Sequence, residues 1–411
     1  MKRYEDVKRL CEYIAENHPD SDFAIKARAS VAGADILLGN DAAAQAGIDG
    51  LIADFNDNPK LPGEIYKIEA QYWHIKRYEE VKRLCEYIAE NHPDSDFAIK
   101  ARASVAAADL LLGNDAAAQT GVDALTRDFA EDPELAGMLC KLGNISCEGG
   151  KYDRAAELYQ YVIDTWPKST DAMWAQMNLA KLYIDLRNDP NVHSALDKLI
   201  ADFNDQPDLP QAVFQIAEQH FYGQSYREAI ELWELVLSEY PESYLTSEIP
   251  YLLATCYNRI DNYEKAIQYY KKVVERYPDS RYGWRAPYRL GIMYRRLKDY
   301  DQSVYWFEQQ RNLYSNESTS QQALFWQGNI FLFDMKDYQK AVEKFQEYIE
   351  LYPESEGSPE VCYDLAMAYE KIGDKTQAIA LLQEAQSLYP NSIFTQHITD
   401  KLAELQEGVK Q

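Results

Sequence analysis

The sequence is poor in positive charge, in cysteine and in the two residues that interrupt helices. Its 411 residues carry 42 Lys and Arg against 67 Asp and Glu, a formal net charge of −25 at pH 7. Phosphate backbones require a basic footprint, so a nucleic acid is excluded as the main ligand. Six cysteines, none in a CxxC pair, are too thinly spread for a disulfide-built secreted scaffold and read as small packing residues. Only 18 Gly and 16 Pro argue against a turn-rich sandwich, a collagen-like chain or a proline-rich linker. No apolar run approaches the roughly 18 residues that a membrane-spanning helix needs. Nor is there an HExxH pair or an EF-hand loop, and Gly149-Gly150-Lys151-Tyr152 lacks both the spacing of a phosphate loop and its Ser/Thr. No carboxylate pair stands out from the solvated faces, so the chain reads as a non-enzyme with no cofactor and no metal. The apolar share, 46%, is that of a folded protein.

What the sequence has in abundance is repetition. Residues 2–32 recur at 76–106 with one difference, Asp6 against Glu80, at an offset of 74. Leu51-Ile52-Ala53-Asp54-Phe55-Asn56-Asp57 returns as Leu199-Ile200-Ala201-Asp202-Phe203-Asn204-Asp205, two such offsets further on. Pro19, Pro59, Pro93, Pro133, Pro167, Pro207, Pro241 and Pro278 alternate at 40 and 34 before settling to 37, and Ser315 stands where the next would fall. Each unit of about 37 residues reads as two helices. Leu290, Met293, Tyr294 and Leu297 recur at helical spacing, Lys298-Asp299 supplies a polar turn, and Val304 and Phe307 begin a second stripe. Endings such as Tyr277-Pro278-Asp279-Ser280 and Tyr352-Pro353-Glu354-Ser355 stop the second helix, because Pro disfavours α conformation before it. The acid and the Ser are expected to cap the helix that follows. No β-type alternation occurs, and the fold class predicted is all-α.

These residues resemble the tetratricopeptide repeat, which wants a small residue in the first helix, an aromatic three later and Ala twelve later. Gly143/Ala155, Ala217/Ala229, Ala254/Ala266, Gly291/Ser303 and Ala366/Ala378 keep the interval, and Tyr183, Tyr257, Tyr294, Phe331 and Tyr369 fill the aromatic place. The resemblance implies a right-handed superhelical solenoid of about ten helical hairpins with an unpaired N-terminal helix. One continuous array is expected over 1–411, with alternating 40- and 34-residue units in 1–207, more regular units near 37 in 208–390, and a capping helix in 391–411. There are departures. Glu69 stands at a small position, Val7 and Val81 replace the second-helix Ala, and Gly328 to Ala341 is thirteen residues. Local looseness or a shifted crossing is expected there, and the 40-residue units are expected to carry longer loops through Asp54 to Pro59. Residues 2–17 correspond to a second helix without its first, which suggests a fragment of a longer protein. Met1-Lys2-Arg3-Tyr4 opens an amphipathic pattern and not a leader's apolar core. The compartment therefore stays open: cytoplasmic as the sequence stands, envelope or periplasm if residues precede it.

By the same resemblance, first helices line a concave groove. Their fifth positions in the C-terminal half are Phe214, Tyr251, Tyr288, Phe325 and Tyr363, spaced 37, 37, 37 and 38. They read either as an aromatic ladder that grips an extended peptide or as rings packed between neighbouring helices. Arg281, Arg285, Arg289, Arg295 and Arg296 crowd one unit, and Arg285, Arg295 and Arg296 map to the groove. Arginine forks bind carboxylates bidentately, so an acidic side chain or a C-terminal carboxylate is the expected ligand group; neutralisation of nearby Asp and Glu is the alternative. The leading function is a protein-interaction scaffold. An assembly role in the bacterial cell envelope, suggested by Tyr-Pro-x-Ser endings like those of periplasmic repeat proteins, and the recognition arm of a larger enzyme stand beside it. Near-identical copies also raise the chance of swapped stacking between chains, hence of self-association.

Overall fold

The computed structural model describes residues 2–19, 21, 23–314 and 316–407, so the Ser315 position lies outside it. Every regular element among these residues is helical. A first compact unit, Met1–Gln219, holds α1 (Lys2–Asn17), α2 (Ala24–Leu38), α3 (Asp41–Phe55), α4 (Leu61–His74), α5 (Tyr78–Asn91), α6 (Ala98–Leu112), α7 (Asp115–Asp128), α8 (Leu135–Glu148), α9 (Tyr152–Thr165), α10 (Thr170–Asp185), α11 (Asp189–Asp202) and most of α12 (Leu209–Tyr222). A second, His220–Gln411, holds α13 (Tyr226–Glu239), α14 (Ile249–Arg259), α15 (Tyr263–Arg276), α16 (Ala286–Arg296), α17 (Tyr300–Leu313), α18 (Glu317–Asn329), α19 (Tyr338–Leu351), α20 (Ser358–Ile372), α21 (Lys375–Leu388) and α22 (Thr395–Glu407). Within each unit consecutive helices pair as hairpins, α2 with α3 through α10 with α11, and α14 with α15 through α20 with α21. α1 precedes the first pair, and α22 closes the second unit against α20 and α21.

The hairpin turns explain the period. Each reverses through one residue in left-handed conformation: Gly39, Lys76, Gly113, Gly150, Arg187, Gln224, Asp261, Lys298, Lys336 and Gly373. These stand 37 apart throughout, save for 38 between Lys298 and Lys336. The strain of a positive φ in a side-chain-bearing residue is offset by hydrogen bonds that satisfy the last carbonyls of the helix. At Lys76, for example, its N–H donates to the Trp73 carbonyl at 3.1 Å and the Arg77 N–H to that of Tyr72 at 2.9 Å. The 40/34 alternation of prolines therefore does not lengthen the loops, contrary to expectation. Asp54 and Phe55 lie inside α3, and residues 56–60 and 92–97 are connections of similar length. Pro59 sits late in its connection and Pro93 early in its own.

The small residues of the repeat are dictated by close helix crossing. A Cβ on Gly143, Gly291 or Gly328 would lie 2.5, 2.7 or 2.3 Å from the ring of Tyr159, Phe307 or Phe345 on the second helix. The thirteen-residue interval is likewise not a loosening. The end of α18 runs into a π-helical turn, Ile330–Met335, which takes up one extra residue. Gly328 and Ala341 thus keep their places while Ile330, Phe331 and Leu332 stay buried. Glu69 is also tightly held: it is buried, and its carboxylate accepts from Trp73 Nε1 and, at 3.6 Å, from Cys85 Sγ.

The expected forward cap holds at Ser243, which accepts from the Leu245 N–H at 3.3 Å, but the serine of Tyr277-Pro278-Asp279-Ser280 and those of the His and Trp variants at 92–95 and 166–169 make a second kind of bond. Ser95, Ser169 and Ser280 donate backwards to the carbonyls of His92, Trp166 and Tyr277 at 2.8, 2.9 and 2.8 Å, tightening the connection. Of these three, Ser169 also caps a helix, accepting from the Ala172 N–H at 3.0 Å. The tyrosine ties consecutive connections together, because Tyr314 and Tyr389 donate to the carbonyls of Pro278 and Pro353 at 2.8 and 2.6 Å. In α22, Ile398, Leu402 and Leu405 are buried against the hairpin before it, while Ile393 is left exposed ahead of the helix. Lys401 is half-buried and bridges Glu370 and Glu404 at 2.8 and 3.0 Å. All six cysteines are free thiols, and Cys85, Cys140, Cys256 and Cys362 are buried.

Candidate partner-binding face

First helices of the second unit, α14, α16, α18 and α20, present their fifth positions on equivalent turns, and the rings differ in how open they are. Tyr251 is buried: its ring stacks on Tyr282 at 4.7 Å and meets Tyr270 edge-on at 5.5 Å. Its hydroxyl accepts from Arg289 Nε at 3.4 Å. Tyr288, Phe325 and Tyr363 are half-buried. Tyr288 lies edge-on to Phe307 at 5.9 Å, Phe325 beside Trp326 at 5.8 Å, and Tyr363 beside His397 of α22 at 6.1 Å. Each ring thus leans on an aromatic of a second helix, a connection, its own turn or, for Tyr363, the closing helix α22. Phe214, on α12 in the first unit, is buried.

The three mapped arginines have distinct surroundings. The Arg285 guanidinium is exposed and lies 4.8 Å over the Trp284 ring. Arg296 is exposed, 5.4 Å over Tyr263 at the start of α15, and donates to that hydroxyl at 3.3 Å. Arg295 pairs with Asp334 at 2.5 Å and lies 5.1 Å over Trp326. Among the described residues, then, Arg285 and Arg296 have no carboxylate within ion-pair distance, whereas Arg295 has one supplied by the π-helical turn. Cation–aromatic contacts of this kind hold the guanidinium plane while leaving its N–H groups available.

Sequence reasoning passed over Tyr282, Trp326 and Asp334. Tyr282 stands four residues after its Pro, where Phe23, Phe97, Leu245 and Phe394 also stand, a recurrence in the connections that lies outside the helix positions of the repeat. Asp334 was detectable only through the one-residue excess between Gly328 and Ala341, which put an acid on the turn that faces Arg295. Burial pushes the Tyr270 hydroxyl pKa up, so this ring is a neutral packing partner of Tyr251. Among the described residues no cluster of three or more His, Cys, Asp or Glu gathers as for a metal, and no helix is long and apolar enough to cross a membrane.

Residues 139–169, 211–243 and 251–280 match one family model described as tetratricopeptide repeat, and residues 332–394 match another of the same description. No curated protein matches the chain. Among solved structures, that of MamA is 20% identical over 44% of this chain and 93% of its own, with a TM-score of 0.37. The P58(IPK) TPR domain is 14% identical over 85% of this chain and 99% of its own, with a TM-score of 0.29. Yeast Tom70 is 11% identical over 100% of this chain and 93% of its own, with a TM-score of 0.36. At such TM-scores these likenesses say nothing about what this chain binds.

Proposed function

Because the chain carries tetratricopeptide repeats, we propose that it is a non-catalytic scaffold that holds a protein or peptide partner on the first helices of its second unit. The observation that carries this reading is the pair Arg285 and Arg296, exposed and free of carboxylate partners among the described residues, in a chain of net charge −25. Repeats of this kind gain nothing from unneutralised arginines beside half-open rings unless something else meets them. The two forks stand at opposite ends of α16, about 16 Å apart along its axis, so each takes its own carboxylate, from an acidic side chain or a chain terminus, and Tyr288 and Phe325 offer apolar area beside them. Charge at such a rim sets specificity and encounter rate more than affinity.

The test compares capture of a panel of peptides, each with a free or an amidated C-terminus, by wild-type chain and by Arg285→Glu with Arg296→Glu. The double variant is expected to keep its melting temperature, since both side chains are exposed, and to lose at least tenfold in affinity for the free-carboxylate peptides. Equal capture by both proteins overturns the reading. Tyr251 is a poor probe, because its removal opens a cavity among Tyr270 and Tyr282.

A further inference from the structure

The duplication of residues 2–32 as 76–106 lets one sequence be seen in two surroundings. On α5, Val81 and Leu84 are 0% and 1% exposed, with Cys85 and Ile88 also buried. On α1 their counterparts Val7 and Leu10 are 43% and 62% exposed, and Cys11 is only half-buried. Asp6 and Glu80, the one difference, are both carboxylates and do not account for it. The cause is α4. It lies along α5, puts the Tyr66 ring 5.6 Å from Phe97, and buries Glu69 against Cys85 and the Ser104 hydroxyl. The equivalent Phe23 and Ser30 are exposed.

The clefts show the same contrast. Between α6 and α8 the walls include Ala103, Ser104, Lys141 and Leu142; Tyr66 and Trp73 of α4 fill its mouth and leave about 180 Å³. The equivalent cleft between α2 and α4 has walls of Ala29, Ser30, Lys67 and Ile68, each 74 residues earlier. Tyr4 and Val7 of α1 line it where the α4 rings would sit, and about 470 Å³ stays open. The molecule therefore holds, on its second copy, the ligand that fits its first.

We infer that this cleft, lined by α1, α2 and α4, docks an amphipathic helix of a partner polypeptide with the chemistry of α4: an aromatic, a carboxylate three residues on, and an aromatic pair three and four after that, as in Tyr66, Glu69, Tyr72 and Trp73. The carboxylate meets Ser30 and Cys11 as Glu69 meets Ser104 and Cys85. The leading aromatic covers Phe23, and the pair closes over Val7 and Leu10. Burial of these side chains supplies the attraction, each worth what an exposed apolar group gains on leaving water, and the carboxylate sets register because an unmatched one would be buried without partners. The cleft lies wholly in the first unit and is independent of the arginine face.

The probe is a labelled synthetic peptide of this chain's own residues 61–75, titrated against the full-length chain by fluorescence anisotropy. Saturable binding is expected, absent for a scrambled peptide. Leu10→Arg in the chain is expected to weaken it at least tenfold without lowering the melting temperature, because Leu10 is already in water. Replacing Glu69 by Leu in the peptide is expected to weaken it severalfold, and by Gln to restore most of it. No saturable binding, or binding unchanged by Leu10→Arg (the peptide then displacing α4 from α5), overturns the inference. So does a self-associated chain that Leu10→Arg dissociates, which would assign the face to a second copy.

Discussion

Asp364 lies on α20 with 7% of its surface exposed, and burial together with the nearby Glu360 charge raises its carboxyl pKa to about 7. An unfolded Asp titrates near 3.9. Below about pH 4 both states are protonated and the group is neutral in its effect. Between about 4 and 7 the unfolded chain has lost the proton that the folded one retains, so stability falls as pH rises, and the penalty is complete above the folded pKa. Asp364→Asn is predicted to stabilise the chain at pH 8 by on the order of 2–3 kcal/mol and to flatten the decline from pH 5. Melting curves of both proteins at pH 5 and pH 8 check this; parallel declines would contradict it. The small residues that pattern reasoning singled out, Gly143, Gly291 and Gly328, are those against which a second-helix ring packs too closely to admit a Cβ. They were legible because the crossing imposes the same exclusion in every copy. Glu69 was not, since a carboxyl in a small-residue position reads as a defect until Trp73 and Cys85 are seen around it.

At the scale of elements, the connections carry a structural device that the motif only hinted at. Tyr389 Oη reaches the Pro353 carbonyl, and Tyr314 Oη that of Pro278, so each ending is tied to the one before it. Tyr389→Phe is predicted to cost about 1 kcal/mol, the net value of one hydrogen bond. The loss belongs locally: amide exchange in α22 should quicken, while α14 should be unaffected. Uniform protection across both helices would show that the bond does not matter. Sequence reasoning placed these residues at helix ends correctly but assigned the serine a forward cap. Ser169 and Ser243 do cap forward, whereas at Ser95 and Ser280 the hydroxyl faces the carbonyl three residues behind. The π-helical turn at Ile330–Met335 follows the same logic, since an insertion next to two fixed crossings has nowhere to go but the helix between them.

For the whole molecule, nearest-neighbour packing dominates, and each compact unit has its own apolar clusters, such as that around Ile48, Ile65 and Leu84 and that around Phe331, Phe345 and Leu365. Stability in such arrays is a sum of local and neighbour terms without one shared core. Denaturant unfolding is therefore predicted to be broad or stepwise, with tryptophan fluorescence and far-ultraviolet dichroism failing to coincide. A single sharp transition common to both probes would contradict this.

The sequence by itself determined the helices, their pairing and the interval of 37, because apolar spacing and a left-handed turn residue are local properties that every copy repeats. Only the tertiary structure decided which faces are covered. Leu10 and Leu84 have the same neighbours in sequence, yet one stands in water and the other under α4. Burial depends on what arrives from elsewhere in the chain, and no segment encodes its own cover.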